Sequence, residues 1–196
     1  MAEDVLTPAR ILDATEDVLR RFGPTKATVV DVARALGVSH GSVYRHFPSK
    51  AALRDAVTER WLARLSAPLA PVVAETGLAT ARLRRWFDLL IASKHKSASA
   101  DPELFATYME LVAEARDVVK AYVDDLVNQI AQIIADGIAQ GEFASVDPAV
   151  AGQALFTATS YFHSPVHVAK WADPGIDAAF EGVWSLILNG LLVHNP

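Results

Sequence analysis

The chain has 196 residues, 52% hydrophobic and 21% charged, which supplies ample material for a core and excludes a disordered protein. It contains no cysteine, so disulfides, thiol catalysis and cysteine-ligated zinc are excluded, and the composition fits a reducing cytoplasm. The formal net charge is −5; divided after Arg60, the first part carries nine basic and eight acidic residues and the second nine and fifteen, so the acidity belongs to the second part. Met1 is followed by Ala2, Glu3 and Asp4 with no basic stretch and apolar core behind them, and no secretory signal is expected.

Thr28 is an N-cap candidate, its hydroxyl able to accept from an unpaired amide of a first helical turn, and Val29, Val32, Ala33 and Leu36 then recur at helical spacing. Gly37 is the left-handed stop and Ser39 caps a second helix almost at once; so short a connection predicts a helix-turn-helix. On the second helix, Val43 and Phe47 point inward, while Gly41, Ser42, Tyr44 and Arg45 face outward with His40 and His46 at the edges. A glycine within a helix costs about 1 kcal/mol relative to alanine, and close backbone approach to a large partner surface is a reason to keep one at Gly41. Arg45 can pair bidentately with a guanine edge, worth about 1–3 kcal/mol of discrimination, whereas Tyr44, His46 and Lys50 suit phosphates. Between Lys26 and Arg54 stand Lys26, Arg34, Arg45, Lys50 and Arg54 against Asp31 alone, the sign that DNA requires. The candidate DNA-binding residues are therefore Thr28, Ser39, His40, Gly41, Ser42, Tyr44, Arg45, His46 and Lys50.

This segment resembles the DNA-binding domain of the tetracycline-repressor family, carried by Thr28, Ala33, Gly37, Val38, Ser39, Gly41, Tyr44, His46, Phe47 and Lys50. The upstream stretch Pro8 to Gly23 is similar to that family's first helix, and Ala51 and Ala52 stand where the family often has a glutamate. The resemblance implies an all-α chain: a three-helix helix-turn-helix domain over residues 6–52, followed by a helical effector-binding and dimerisation domain over 53–196. It also implies a homodimer on double-stranded operator DNA, an inverted repeat, released by a small-molecule effector that changes the spacing of two reading heads. Gly37 to Gly41 also satisfies G-x-S-x-G, but the hydrolase elbow needs a buried strand before its serine, and Asp31 to Leu36 has helical periodicity. Two competing readings are a helical small-molecule binder without DNA recognition and a small helical enzyme. Arg45, Tyr44 and Lys50 count against the first, and the lack of a catalytic constellation against the second, so no enzyme is expected.

A helix begins at Ser49 with the stripe Leu53, Val57, Trp61 and Leu65, connects the two domains, and is kinked or ended by Pro68 and Pro71. Further helices are predicted around Leu78 to Ser97, Pro102 to Glu114, Asp117 to Gln140, Pro148 to His163 and Gly175 to Val193. Asp101-Pro102, Asp147-Pro148 and Asp173-Pro174 each offer an N-cap with proline at the first helical position. Arg82, Arg84 and Arg85 form a basic cluster expected to be a solvated face. Pro148 to Ala169 lacks Lys, Arg, Asp and Glu, but its Gln, Thr, Ser and His residues favour a buried helix over a membrane span. His163 and His167 have the i,i+4 spacing of a zinc pair with Pro165 between them and no further ligands, so neither metal nor cofactor is expected.

Trp86, Phe87, Phe105, Tyr108, Met109, Tyr122, Phe156, Phe162 and His163 are the candidate effector-site residues, against the alternative that aromatics at helical spacing are plain core. Tyr161 adds bulk, and Glu110 and His95 could orient a ligand. Apolar residues wrap nearly round the last helix, which needs cover on two sides, and the small residues of the helix before it allow close approach. Ala151, Ala154, Ala158, Phe180, Val183, Trp184, Ile187 and Leu191 are accordingly expected at a four-helix dimer interface; the alternative is that both helices are central to one monomer's core. The effector, the operator, the regulated genes and the sense of regulation are not encoded in any motif of the chain.

Overall fold

The computed structural model describes residues 5–193; Met1 to Asp4 and the last three residues lie outside the described part. Among the described residues eleven α-helices follow one another: α1 (Pro8–Lys26), α2 (Val29–Leu36), α3 (His40–Tyr44), α4 (Lys50–Ser66), α5 (Ala70–Ala74), α6 (Ala79–Ala100), α7 (Pro102–Glu114), α8 (Arg116–Ala139), α9 (Pro148–Ala158), α10 (Ser160–His163) and α11 (Ile176–Leu191), with a 3-10 turn at Pro165–Lys170. Extended pairing among the described residues is limited to one isolated bridge, Phe143 to Leu192. The chain divides into two compact units, Met1–Ala63 with Asp101–Lys120, and Arg64–Ala100 with Ala121–Pro196.

In the first unit, Thr7 caps α1 by accepting from the Arg10 amide at 3.3 Å, and Pro8 opens the helix where its missing N–H costs nothing. The helix is interrupted at Gly23, whose φ of 71° and ψ of 167° suit only glycine; Pro24 then starts one further turn to Lys26. Ile11, Val18 and Leu19 of α1, Val29 and Val32 of α2, Val43 of α3, and Leu53 and Val57 of α4 are all buried. Arg60 of α4 donates to Glu16 at 2.6 Å and to Asp13 at 2.7 Å, tying α4 to α1. Helix α7 belongs to this unit. It packs on α1, and its Tyr108 lies flat on Trp61 with ring centres 4.5 Å apart, Phe105 meeting the same indole edge-on at 6.1 Å. Residues 101–120 thus fold with the N-terminal helices, although the sequence reading began the second domain at residue 53 and kept everything after it there.

In the second unit, Leu83, Trp86, Phe87 and Leu90 of α6 pack with Leu126, Ile130, Ile133 and Ile134 of α8, with Leu155 and Phe162, and with Phe180, Trp184 and Leu191 of α11. The N-terminus of α6 is capped from a distance: Glu142 accepts from the Ala79 amide at 2.8 Å and from the Thr80 amide at 3.1 Å. Partial burial works against the Glu142 carboxylate, but the Thr80 and Ala79 hydrogen bonds and the Arg82 charge outweigh it and hold its pKa below the usual range. Arg82 itself is buried, donating to the Val72 and Val73 carbonyls and pairing with Asp136 at 2.9 Å. Arg84 is held by Asp88 and Glu181, and Arg85 by Glu75, so the expected solvated basic cluster is a set of ion pairs with one buried member.

Two local departures concern the end of the chain. The predicted helix from Pro148 to His163 is broken at Thr159, whose hydroxyl turns back to the Leu155 carbonyl at 2.8 Å and whose backbone leaves the helical region. Asp173 does not cap α11: it pairs with Lys170 at 3.6 Å, and α11 starts at Ile176 behind Gly175 without a side-chain cap. No helix among the described residues is long and apolar enough to cross a membrane.

Candidate nucleic-acid interface and effector site

Helices α2 and α3 are set by three caps. Thr28 forms a capping box: its hydroxyl accepts from the Asp31 amide at 3.2 Å, while its own N–H donates to the Asp31 carboxylate at 3.2 Å. The Thr28 hydroxyl proton also goes to Asp31, at 2.6 Å, an interaction that heads the causes lowering that carboxylate's pKa. Both donors of Thr28 are therefore spent inside the helix start, and an anionic phosphate would find none left; among the expected contact residues Thr28 is a cap. Gly37 takes the left-handed conformation, φ 66° and ψ 28°, and the Val38 amide closes on the Ala33 carbonyl at 3.0 Å. Ser39 then accepts from the Ser42 amide at 3.1 Å, so only the three residues Gly37, Val38 and Ser39 separate the helices. The Ser39 of the G-x-S-x-G pattern follows a helix rather than a strand and is committed to this cap.

The outward face of α3 is as expected from its periodicity. Val43 is fully buried and Phe47 half-buried, whereas His40, Gly41, Tyr44, Arg45 and His46 are exposed. The Tyr44 ring stands edge-on to His40 at 6.3 Å, and Arg45 is steadied by donating to the Ser42 hydroxyl at 3.3 Å. A Cβ at Gly41 would meet nothing of the chain closer than Ser39 Oγ at 3.7 Å, so no internal contact demands a glycine there. Lys50 is exposed at the start of α4, which Ser49 caps through the Ala52 amide at 3.0 Å. Of the five cations noted in this region, Arg34 pairs with Asp31 at 3.0 Å and Arg54 with Glu114 at 2.8 Å. Lys26, Arg45 and Lys50 have no carboxylate partner among the described residues, which leaves their charge for an external anion.

The expected effector residues do not form one group. Phe105 and Tyr108 belong to the core of the first unit around Trp61, and Met109 is half-buried on the same helix. Trp86 and Phe87 are completely buried in the second unit, where the Trp86 N–H donates to Gln129 at 2.9 Å. Tyr122, Phe156, Phe162 and His163 remain. His163 packs its ring 4.7 Å from that of Phe156 and shares a hydrogen bond with Thr159 at 3.2 Å, while its Nδ1 and the Tyr122 hydroxyl are buried without a hydrogen-bond partner among the described residues. His95 meets the Phe162 carbonyl at 2.8 Å and stacks on Trp171, and it borders an open groove of about 480 Å³ with Arg84, Asp88, Ile176 and Phe180. Glu110 is exposed on α7 in the first unit. His167 lies against Tyr161 at 5.0 Å, and no cluster of three or more metal-ligating side chains occurs among the described residues.

One residue of this region escaped the sequence reading. Lys94 continues the buried stripe Leu83, Phe87 and Leu90 at i+4, is only 7% exposed, and has its ammonium 5.4 Å from the Tyr122 ring centre. The signal was a lysine in core register, which charge counting overlooks. Burial pushes the Lys94 pKa down to about 8, and burial together with the Lys94 charge pushes His163 down to about 3, keeping the imidazole neutral.

The residues expected at a dimer interface divide between two faces. Phe180, Trp184 and Leu191 are buried in the core of their own unit, and Ala151, Val183 and Ile187 are half-buried. Ala154 and Ala158 are exposed beside Val150, Gln153 and Thr157, and on α11 the open face carries Gly182, Leu186 and Gly190. Gly152 serves its own chain: a Cβ there would stand 3.1 Å from the Val127 carbonyl oxygen of α8. The exposed positions on α11 are therefore a helical step away from the large aromatic residues, because bulk on this helix is spent on the core of its own unit.

Residues 11–57 match the sequence profile of bacterial regulatory proteins of the tetR family, and residues 79–184 match the tetracyclin repressor-like C-terminal domain. The HTH-type transcriptional repressor KstR2 of Rhodococcus jostii is 26% identical over 195 residues, covering 92% of this chain and 89% of that protein. A TetR-family transcriptional regulator from Mesorhizobium loti shares the fold at a TM-score of 0.72 and 17% identity, over 95% of this chain and 96% of that one. SmeT, the repressor of the Stenotrophomonas maltophilia multidrug efflux pump SmeDEF, does so at 0.69 and 18%, over 97% and 92%. With one profile falling on the helix-turn-helix and the other on residues 79–184, the chain belongs to the tetracycline-repressor family of bacterial regulatory proteins.

Proposed function

We propose that two copies of the chain form a homodimer that occludes promoter DNA at an inverted repeat and is released when a small molecule binds the second helical unit. The observation that carries the DNA half is the outward face of α3, where His40, Gly41, Tyr44 and Arg45 are exposed and Arg45 and Lys50 have no internal counter-charge among the described residues. Arg45 reads a base edge in the major groove, while Tyr44, His46 and Lys50 hold phosphates and fix the register. The dimer half is supported by Leu186, 75% exposed between Gly182 and Gly190 on a face opposite the buried aromatics of α11, and by the open face of α9 at Val150, Ala154 and Ala158. A large apolar side chain flanked by glycines on an exposed helix face suits close packing against a second copy.

Release requires only that the effector favour a dimer geometry unsuited to the operator; a coupling of about 1–3 kcal/mol is enough. The same reading assigns no catalytic step to the chain and places it with the cytoplasmic DNA. Selection of binding sites from random duplex DNA tests it: recovery of one inverted repeat, bound by two protomers, is expected, and recovery of no preferred sequence would overturn it.

A further inference from the structure

The second unit holds three polar groups whose needs its own chain does not meet. The Lys94 ammonium, on a residue 7% exposed, has no carboxylate or hydrogen-bond partner among the described residues; it lies 5.4 Å from the Tyr122 ring centre, and its charge acts on His163. The Tyr122 hydroxyl and His163 Nδ1 are buried without a hydrogen-bond partner among the described residues. Asp125, whose charge acts on Tyr122, is exposed and is bonded by Gln129 at 2.8 Å. Burying a charge without a counter-ion is costly, and proteins keep such an arrangement chiefly where a partner arrives from outside. The groups come from α6, α8 and α10; the Tyr122 ring beside Lys94 and the Phe156 ring beside His163 are both half-buried and offer apolar surface next to the polar groups.

We propose that Lys94, Tyr122 and His163 form the polar end of the effector site, and that the effector is an amphipathic small-molecule anion whose charged group pairs with the Lys94 ammonium. This rests on the effector reading given above. The Tyr122 hydroxyl donates to the same anionic group, and the apolar body of the ligand lies along Tyr122 and Phe156. His163, held neutral, offers either a donor or an acceptor at Nδ1 and so orients a second polar atom of the ligand. The Lys94 charge falls as its proton is lost with rising pH around 8, and an anionic guest opposes that loss.

A charge-matched pair of fluorescent probes tests this on the full-length protein: anilinonaphthalene sulfonate, and its uncharged counterpart phenyl-naphthylamine. The sulfonate is expected to bind about tenfold more tightly or better, as one desolvated ion pair supplies. Lys94→Met is expected to abolish that preference, leave the neutral probe bound, and melt higher than the parent without ligand, because it removes an uncompensated buried charge. Tyr122→Phe, which deletes one oxygen and keeps the ring, is expected to weaken the sulfonate several-fold and the neutral probe not at all. Equal binding of the two probes, or a Lys94→Met protein that keeps the preference or melts lower, would overturn the anion assignment while leaving the effector site standing. Binding of neither probe would overturn both.

Discussion

Gly41→Ala separates what the fold needs from what DNA recognition needs. The glycine lies in the first turn of α3 with its Cβ direction open, the nearest heavy atom being Ser39 Oγ at 3.7 Å, and its φ lies outside the left-handed region. Alanine is thus tolerated internally and gains helix propensity. For a position near a helix end about half of the full difference applies, roughly 0.5 kcal/mol. In a chain of this length that corresponds to a rise in melting temperature of about 1–2 °C. Against DNA the sign reverses, since an added methyl group holds the α3 backbone away from the base edges and loosens every contact beside it. A loss of tenfold or more in operator affinity, about 1.4 kcal/mol, is expected. Fluorescence anisotropy with the selected operator at fixed salt, paired with a thermal melt, reads both quantities. A variant that binds like the parent would refute the close approach assigned to Gly41, and one that melts lower would show that the glycine serves the fold after all.

Arg45→Ala is expected to relax base preference at one position of each half-site, costing about 1–3 kcal/mol on the parent's best sequence, whereas Lys50→Ala should weaken all sequences alike and lower the salt slope by about 1; competition binding across a salt series distinguishes the two. Leu186→Glu places a charge on the exposed face of α11 and is expected to weaken dimerisation about a hundredfold or more, given roughly 1.5–3 kcal/mol per buried leucine in each copy, with helix content unchanged. Sedimentation velocity checks it, and an unaltered dimer would put the interface elsewhere. Gly137→Ala would place a Cβ 2.2 Å from the Phe143 ring and 2.8 Å from Ala79, and is expected to cost about 1–3 kcal/mol in thermal stability without touching DNA contacts directly.

How much was legible in the sequence depended on whether the deciding interaction was local. Thr28, Gly37 and Ser39 act within four residues of themselves, and the structure places caps and stop at those positions. Asp101-Pro102 and Asp147-Pro148 likewise start α7 and α9. Asp173-Pro174 carries the same local signal, yet Asp173 is taken by Lys170 and the helix starts later. The identity of a helix's neighbour was not legible: periodicity shows that Phe105 and Tyr108 are covered, but the Trp61 indole that covers them is more than forty positions away. The same limit hid which side of α11 faces its own core, and hid Lys94, whose register is apolar although its side chain is charged.

The central claim, that the outer face of α3 lies in the major groove, is tested most directly by methylation protection of guanine N7 on the selected operator, parent against Arg45→Ala. Protection of one guanine in each half-site by the parent, lost in the variant while the backbone footprint persists, is the predicted result. A bound parent that protects no guanine N7, or a variant whose protection pattern is unchanged, would contradict it.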